Sequence, residues 1–228
     1  MQNDNHGVAH VEKDVTQLAT EVKEAITHGG DIETTVRNLT LKAMHSNGLD
    51  TESLKQIAMA VMKGVQEGAQ QKVTHAAEQS QAAQSQITQA VSGLDAAFAQ
   101  LAGASKLALE EAAGKAKQFS DNELTKTQAD LKDLENVFLD TLKHAATAAQ
   151  GLLAETLKDL LAHAQHNGTA VGAQLKDTLA VFAHQIASTG RAQFEAGVKL
   201  TQTTADLLYK ISTGVLSGIT NQDDRKNK

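Results

Sequence analysis

There is no cysteine, no proline and no tryptophan among the 228 residues. Without thiols, a disulfide framework, thiolate metal sites and cysteine nucleophiles are excluded, and a reducing cytoplasm suits such a chain. At its usual frequency of about 5%, proline would appear roughly eleven times. Its ring breaks helix interiors and marks turns, so its absence predicts a chain that is almost wholly helical. Aromatics are scarce too, at 3%, so bulky core fillers are few. No run of about 18 apolar residues occurs, which excludes a transmembrane helix; the most apolar short piece is residues 211–219. Basic residues are outnumbered, 21 to 27, for a net charge of −6. A general nucleic-acid binder needs a basic face to displace counterions, so none is expected. Residues 1–7, Met-Gln-Asn-Asp-Asn-His-Gly, are polar and acidic, unlike a signal peptide, and are expected to be disordered.

What is present in quantity is Ala, Gln, Leu, Lys and Thr, mostly good helix formers. Val8, Val11, Val15, Leu18, Val22 and Ala25 recur at alternating steps of three and four, the pattern of a short coiled-coil-like seam. Gly29-Gly30 ends it, and Asp31 is placed to cap the next helix. Ile32, Val36, Leu39 and Ala43 form a second, shorter stripe that stops at Asn47-Gly48. Residues 1–48 thus read as a disordered start and two short helices.

Leu49, Asp50 and Leu54 combine an N-cap with a hydrophobic staple. From Leu54 an apolar stripe runs to Phe119 at about 3.6 residues per step, between the heptad and the 11-residue repeat, so nearly straight helices are expected. Gly93 and Gly103 are the expected places for a bend or break. Phe119, Ser120, Glu123 and Leu124 spell a capping box with its staple, so a new helix is expected there. Its stripe continues through Leu131, Leu134, Phe138, Leu142, Ala145, Ala149, Leu153, Leu157, Leu160 and Ala164. Asn167-Gly168 stops it, Thr169 caps the last helix, whose stripe runs from Val171 to Ile219, and a polar tail occupies residues 221–228. One helix from Asp121 to His166 would be about 47 residues, or roughly 70 Å. Helices this long do not fit a compact globule. The expected fold is all-α: an elongated antiparallel bundle of long, coiled-coil-like amphipathic helices over residues 49–220, with a hairpin at Asn167-Gly168.

Chemistry-bearing patterns are sparse. A di-iron or di-manganese bundle needs Glu-x-x-His pairs on facing helices; the spacing is absent, and His75-x-x-Glu78 is reversed and occurs once. His163 and His166 share a helix face and could pair on a metal, but histidine in a last helical turn also suits the helix dipole without any ligand. His144 and His184 read as boundary residues. No Gly-x-Ser-x-Gly, Walker loop or dinucleotide fingerprint is present. Acidic residues alternate with Lys along polar faces, as in the Glu111–Lys115 pair, and read as a solvated surface. No catalytic residue, cofactor site or metal site is therefore assigned, and the chain is not expected to be an enzyme.

Two features remain. Residues 79–105 carry a single charge, Asp95. This suits either the central helix of a bundle or oligomer, or a low-charge surface that adsorbs to something hydrophobic. Residues 151–165 are strongly amphipathic. Their broad apolar face, with Leu152, Leu153, Leu157, Leu160 and Leu161, joins Leu131, Leu134, Phe138 and Leu142 as the candidate surface-binding or helix-packing face, opposite Glu155, Lys158 and Asp159.

In this character the chain resembles the phasins, small cytoplasmic bacterial proteins that coat polyhydroxyalkanoate granules. The resemblance is carried by the missing Cys, the low aromatics and Ala/Gln/Lys/Thr-rich amphipathic stretches such as residues 104–119, Ala-Ser-Lys-Leu-Ala-Leu-Glu-Glu-Ala-Ala-Gly-Lys-Ala-Lys-Gln-Phe, and it covers residues 50–220. Residues 94–124 also look like an uncharacterised bacterial family of Ala-rich helical proteins. The resemblance implies a cytoplasmic, non-enzymatic protein that adheres to a polyester granule or lipid surface. The rival expectation is an oligomeric scaffold assembled by helix–helix packing, with the N-terminal heptad segment as an assembly element.

Overall fold

A computed structural model describes residues 4–47, 49–72, 77–114 and 121–192. Every element among them is an α-helix, and no strand occurs among the described residues. In chain order these are α1 (Asp4–His28), α2 (Ile32–Asn47), α3 (Thr51–Lys72), α4 (Ala77–Gly114), α5 (Asp121–Ala148), α6 (Gly151–Asn167) and α7 (Ala170–Ala192).

The helix boundaries follow local chemistry. Gly29 and Gly30 take φ of 79° and 97°, a region that costs glycine nothing, and α1 ends before them. Asp31 then caps α2: its Oδ1 accepts the Thr34 backbone N–H at 3.0 Å. Asp50 caps α3 in the same way, accepting the Ser53 N–H at 3.0 Å and the Ser53 hydroxyl at 2.7 Å. Gly168, with φ of 84°, closes α6 by donating its N–H to the Ala164 carbonyl.

Two expectations are corrected. The single helix from Asp121 to His166 is two helices. Gln150 is extended (φ −132°, ψ 159°) and Gly151 takes φ of 58°, so the chain breaks between α5 and α6. The described part of the stripe from Leu54 to Phe119 lies on α3 and α4; residues 73–76 and 115–120 lie outside the described residues. Gly93 and Gly103, expected as breaks, lie inside the uninterrupted α4. The capping box at Ser120, its staple residue Phe119 and everything beyond Ala192 lie outside the described residues.

The described chain divides into two compact units. The first holds α1–α3, α4 as far as Ala97, α5 from Asn136, and α6. In it α1 lies along α3 and also packs on α2, which in turn meets α3. Its interior is mainly aliphatic, with Val22, Ile26, Val36, Met44, Ile57, Val61, Val65 and Ile87 essentially inaccessible. The second unit holds the rest of α4 and α5, and α7, around Phe98, Leu101, Leu109, Leu131, Leu134, Leu175 and Phe182.

Candidate functional site

Helical periodicity gathers apolar side chains on one side of α5 and α6, and burial decides which of them remain available. Leu131 and Leu134 belong to the second unit; Phe138, Leu142, Leu152, Leu153, Leu157, Leu160 and Leu161 belong to the first. Leu131, Leu134, Phe138, Leu142, Leu153 and Leu157 are buried, none more than 5% exposed. Leu152, Leu160 and Leu161 are only half-buried. Cover thins along α6: Leu153, Ala154, Thr156 and Leu157 are buried, whereas Leu160, Leu161 and Ala164 one turn later are not. Glu155, Lys158, Asp159, His163, Gln165 and His166 on the other side are exposed. Elsewhere, Met59 and Leu107 are more than half exposed, but lone apolar side chains are ordinary on a surface.

Glycines bring α1 and α3 close together in the first unit. On α3, Gly64 and Gly68 are four apart and so share one face. A Cβ on Gly64 would meet the Ala19 carbonyl and stand 2.8 Å from the Val22 Cβ; one on Gly68 would stand 2.7 Å from the Ile26 Cβ and 3.1 Å from the Lys23 carbonyl. The two glycines therefore form a trough in which α1 is seated. Polar links across it are slight. Lys23 and Glu67 lie 3.9 Å apart, both partly exposed, and the Thr27 hydroxyl, which donates to the Lys23 carbonyl at 2.8 Å, stands only 3.4 Å from the Gln71 side-chain oxygen. Exposed ion pairs contribute about 0.2–1 kcal/mol, whereas each buried Val, Ile or Leu contributes about 1.5–3 kcal/mol. Apolar packing holds this contact.

Gly93 does the same on α4. A Cβ there would stand 2.5 Å from the Glu33 carbonyl and 3.1 Å from the Val36 Cβ, so α2 lies directly against α4. From Gln86 to Lys106 no residue of α4 is exposed. The low-charge stretch is thus buried or half-buried from Gln86 onward, although Gln81, Ala82, Gln84 and Ser85 are exposed, and scarce charge suits that burial. In the second unit the buried Thr178 hydroxyl lies 2.9 Å from its own helix's Gln174 carbonyl and 3.1 Å from the Ala102 carbonyl of α4, so its desolvated proton has an acceptor.

The ionisable groups do not converge. Among the described residues no group of three or more His, Asp or Glu could hold a metal ion. His163 and His166 are exposed, and His163 Nδ1 lies 2.9 Å from the Asn167 side-chain amide. His28 Nδ1 donates to the Glu24 carbonyl at 2.8 Å, a bond that satisfies the end of α1. His144 and His184 are exposed. Among the described residues two carboxyls are perturbed, both helix caps. Hydrogen bonds from the Thr34 backbone and side chain hold Asp31 below the ordinary value, with help from Arg37. Burial alone would raise Asp50, but bonds from the Ser53 hydroxyl and nearby backbone N–H groups outweigh it and lower the carboxyl. Both shifts serve helix ends rather than chemistry. A shallow groove of about 90 Å³ between α1 and α2, lined by Asp14, Glu21, Leu39, Lys42 and Asn47 among others, is too small for anything beyond a few waters.

Two signals went unread in the sequence. Gly64-x-x-x-Gly68 is a small-residue spacing that permits close helix contact. Gly151 lies inside an otherwise unbroken stripe, where only its left-handed backbone reveals the break.

Compared with known proteins, residues 9–222 match a family described only as one of unknown function. No curated protein and no solved structure matches the chain.

Proposed function

The chain belongs to that family, DUF6781, and we propose that it is a non-enzymatic amphipathic helical protein that coats an uncharged hydrophobic surface, as phasins coat polyester granules. One observation carries the reading. Leu152, Leu160 and Leu161 stand half-buried on α6 beside the fully closed Leu153 and Leu157, with a polar, exposed opposite face. A half-buried leucine retains about 1 kcal/mol of hydrophobic free energy to gain from a dry partner. Adsorption then exchanges one apolar neighbour for another at small net cost. A net charge of −6 opposes attachment to anionic lipid, which leaves an uncharged surface. In this reading each unit is a helical bundle in solution, the protein is cytoplasmic and self-associating, and it is granule-bound when polyester is present.

A second reading is favoured by the buried and half-buried middle of α4 and by the glycine trough that seats α1. Both describe a chain closed on itself, as in an oligomeric scaffold. Adsorption to polyester beads, with neutral phosphatidylcholine vesicles and anionic vesicles as further arms, separates the two. The coating reading expects retention on beads, and no gain from anionic lipid. Protein that stays helical, melts cooperatively and is never retained on beads or neutral vesicles rejects coating and leaves the scaffold.

A further inference from the structure

We propose that α5 and α6 are two halves of one helix, held apart at Gly151, and that they join into a continuous helix when the chain meets an uncharged apolar surface. This rests on the surface-coating reading above. Three observations lead to it. First, the apolar stripe does not notice the break: Leu142, Ala146, Ala149, Leu153 and Leu157 follow one another at steps of three and four, as in one uninterrupted helix. At 100° per residue, the Leu and Phe side chains at 131, 134, 138, 142, 152, 153, 157, 160 and 161 fall on one half of a joined helix, with Val137 outside it. Second, the break has no device of its own. Gln150 makes no side-chain cap bond to α6, in contrast to the Asp31 and Asp50 caps. Only the extended Gln150 and the φ of 58° at Gly151 interrupt the helix, and nothing lies within 4 Å of where a Gly151 Cβ would stand. Third, the apolar cover of α6 thins toward its far end, where Leu160, Leu161 and Ala164 are only half-buried.

The break leaves the first N–H groups of α6 and the last carbonyls of α5 without intrahelical partners. Joining restores those bonds, and the cost is the tertiary cover over Leu153 and Leu157. In water that cost holds the break. On an apolar surface the leucines keep a dry partner, so the restored bonds decide. The result is an amphipathic rod from Asp121 to Asn167, about 70 Å long.

Hydrogen exchange at the amides of Leu152 and Leu153 reads the switch directly, since in the first turn of α6 these lack intrahelical carbonyl partners when the helix is broken and gain them when it is joined. In the parent protein they should exchange fast in solution and be protected on polyester beads. Gly151→Ala favours the joined form twice, through helix propensity and through the penalty of a left-handed alanine. It should shift the balance roughly 30-fold and protect these amides in solution without any surface. Gly151→Asn, which tolerates the left-handed backbone, should leave them fast. Protection at Val22 and Val65 checks that each variant is folded. Fast exchange in folded Gly151→Ala overturns the inference, as does a parent that binds beads with these amides still fast, in which case coating stands alone. Protection in Gly151→Ala with no bead binding by either protein supports the joined helix and rejects the coating reading.

Discussion

Gly64→Ala tests the seating of α1 on α3 most sharply, because two known effects oppose each other. In an exposed helix interior the change would stabilise by about 1 kcal/mol, since alanine is the better helix former. Here the added methyl meets the Ala19 carbonyl and lies 2.8 Å from the Val22 Cβ and 3.0 Å from its Cγ1. The first is backbone and the second a side-chain stem, so neither can rotate away. Either α1 lifts, uncovering Leu18, Val22 and Ile26, or the contact stays compressed. Overpacking of this kind costs about 1–3 kcal/mol. We expect a net loss of about 1–2 kcal/mol, which at this chain length lowers the melting midpoint by about 2–8 °C. Gly103→Ala is the matched control. It is also mid-helix, but its nearest neighbours are flexible Gln174 side-chain atoms at 3.5–3.8 Å. That variant should gain about 0.5–1 kcal/mol. Calorimetry on both proteins decides the matter. If Gly64→Ala melts at or above the parent while Gly103→Ala gains, the close approach of α1 to α3 is refuted.

Four further predictions concern the caps, α6 and the docking of α1. The folded-state values of Asp31 and Asp50 lie below the ordinary 3.8, so their cap stability is fully present above that pH and is lost as pH falls through the lowered values. Asp31→Asn with Asp50→Asn, which keeps the caps without the titration, should flatten urea stability over that acid range, and an unchanged acid slope would count against it. Asp50→Ala at neutral pH should cost about 1 kcal/mol. Leu157→Asp puts a charge at a position 1% exposed and should cost upwards of about 3 kcal/mol. Bead retention measured on the same variant should fall with it, and full retention would show that α6 is not the adsorbing face. Deleting residues 1–48 removes α1 and α2 and bares the Gly64–Gly68 trough, so the midpoint should drop and self-association rise; a truncated chain that melts and sediments like the parent would contradict the docking of α1.

Much of the fold was legible because it is local. Missing proline and 3.6-residue periodicity require helices, and Asp31, Asp50, Gly29-Gly30 and Asn167-Gly168 mark ends with groups that act within one turn. The apolar faces were legible as well: six of the nine candidate residues on α5 and α6 are buried. What burial left open at Leu152, Leu160 and Leu161 could not be read from the pattern, because half-cover depends on which neighbour ends where.

Glycine marks the boundary between the two kinds of information. By itself the sequence determined an all-helical chain, the phase of its stripes and most of its helix ends, since each follows from side chains within a few residues. Tertiary structure alone decided that Gly93, expected to break a helix, lets α2 lie against α4, that Gly64 and Gly68 seat α1, and that Gly151, in an unbroken stripe, is where the chain turns. The reason is physical. A residue without a Cβ is compatible with a helix, a left-handed turn or a tight contact, and the energies separating these uses come from what packs against it.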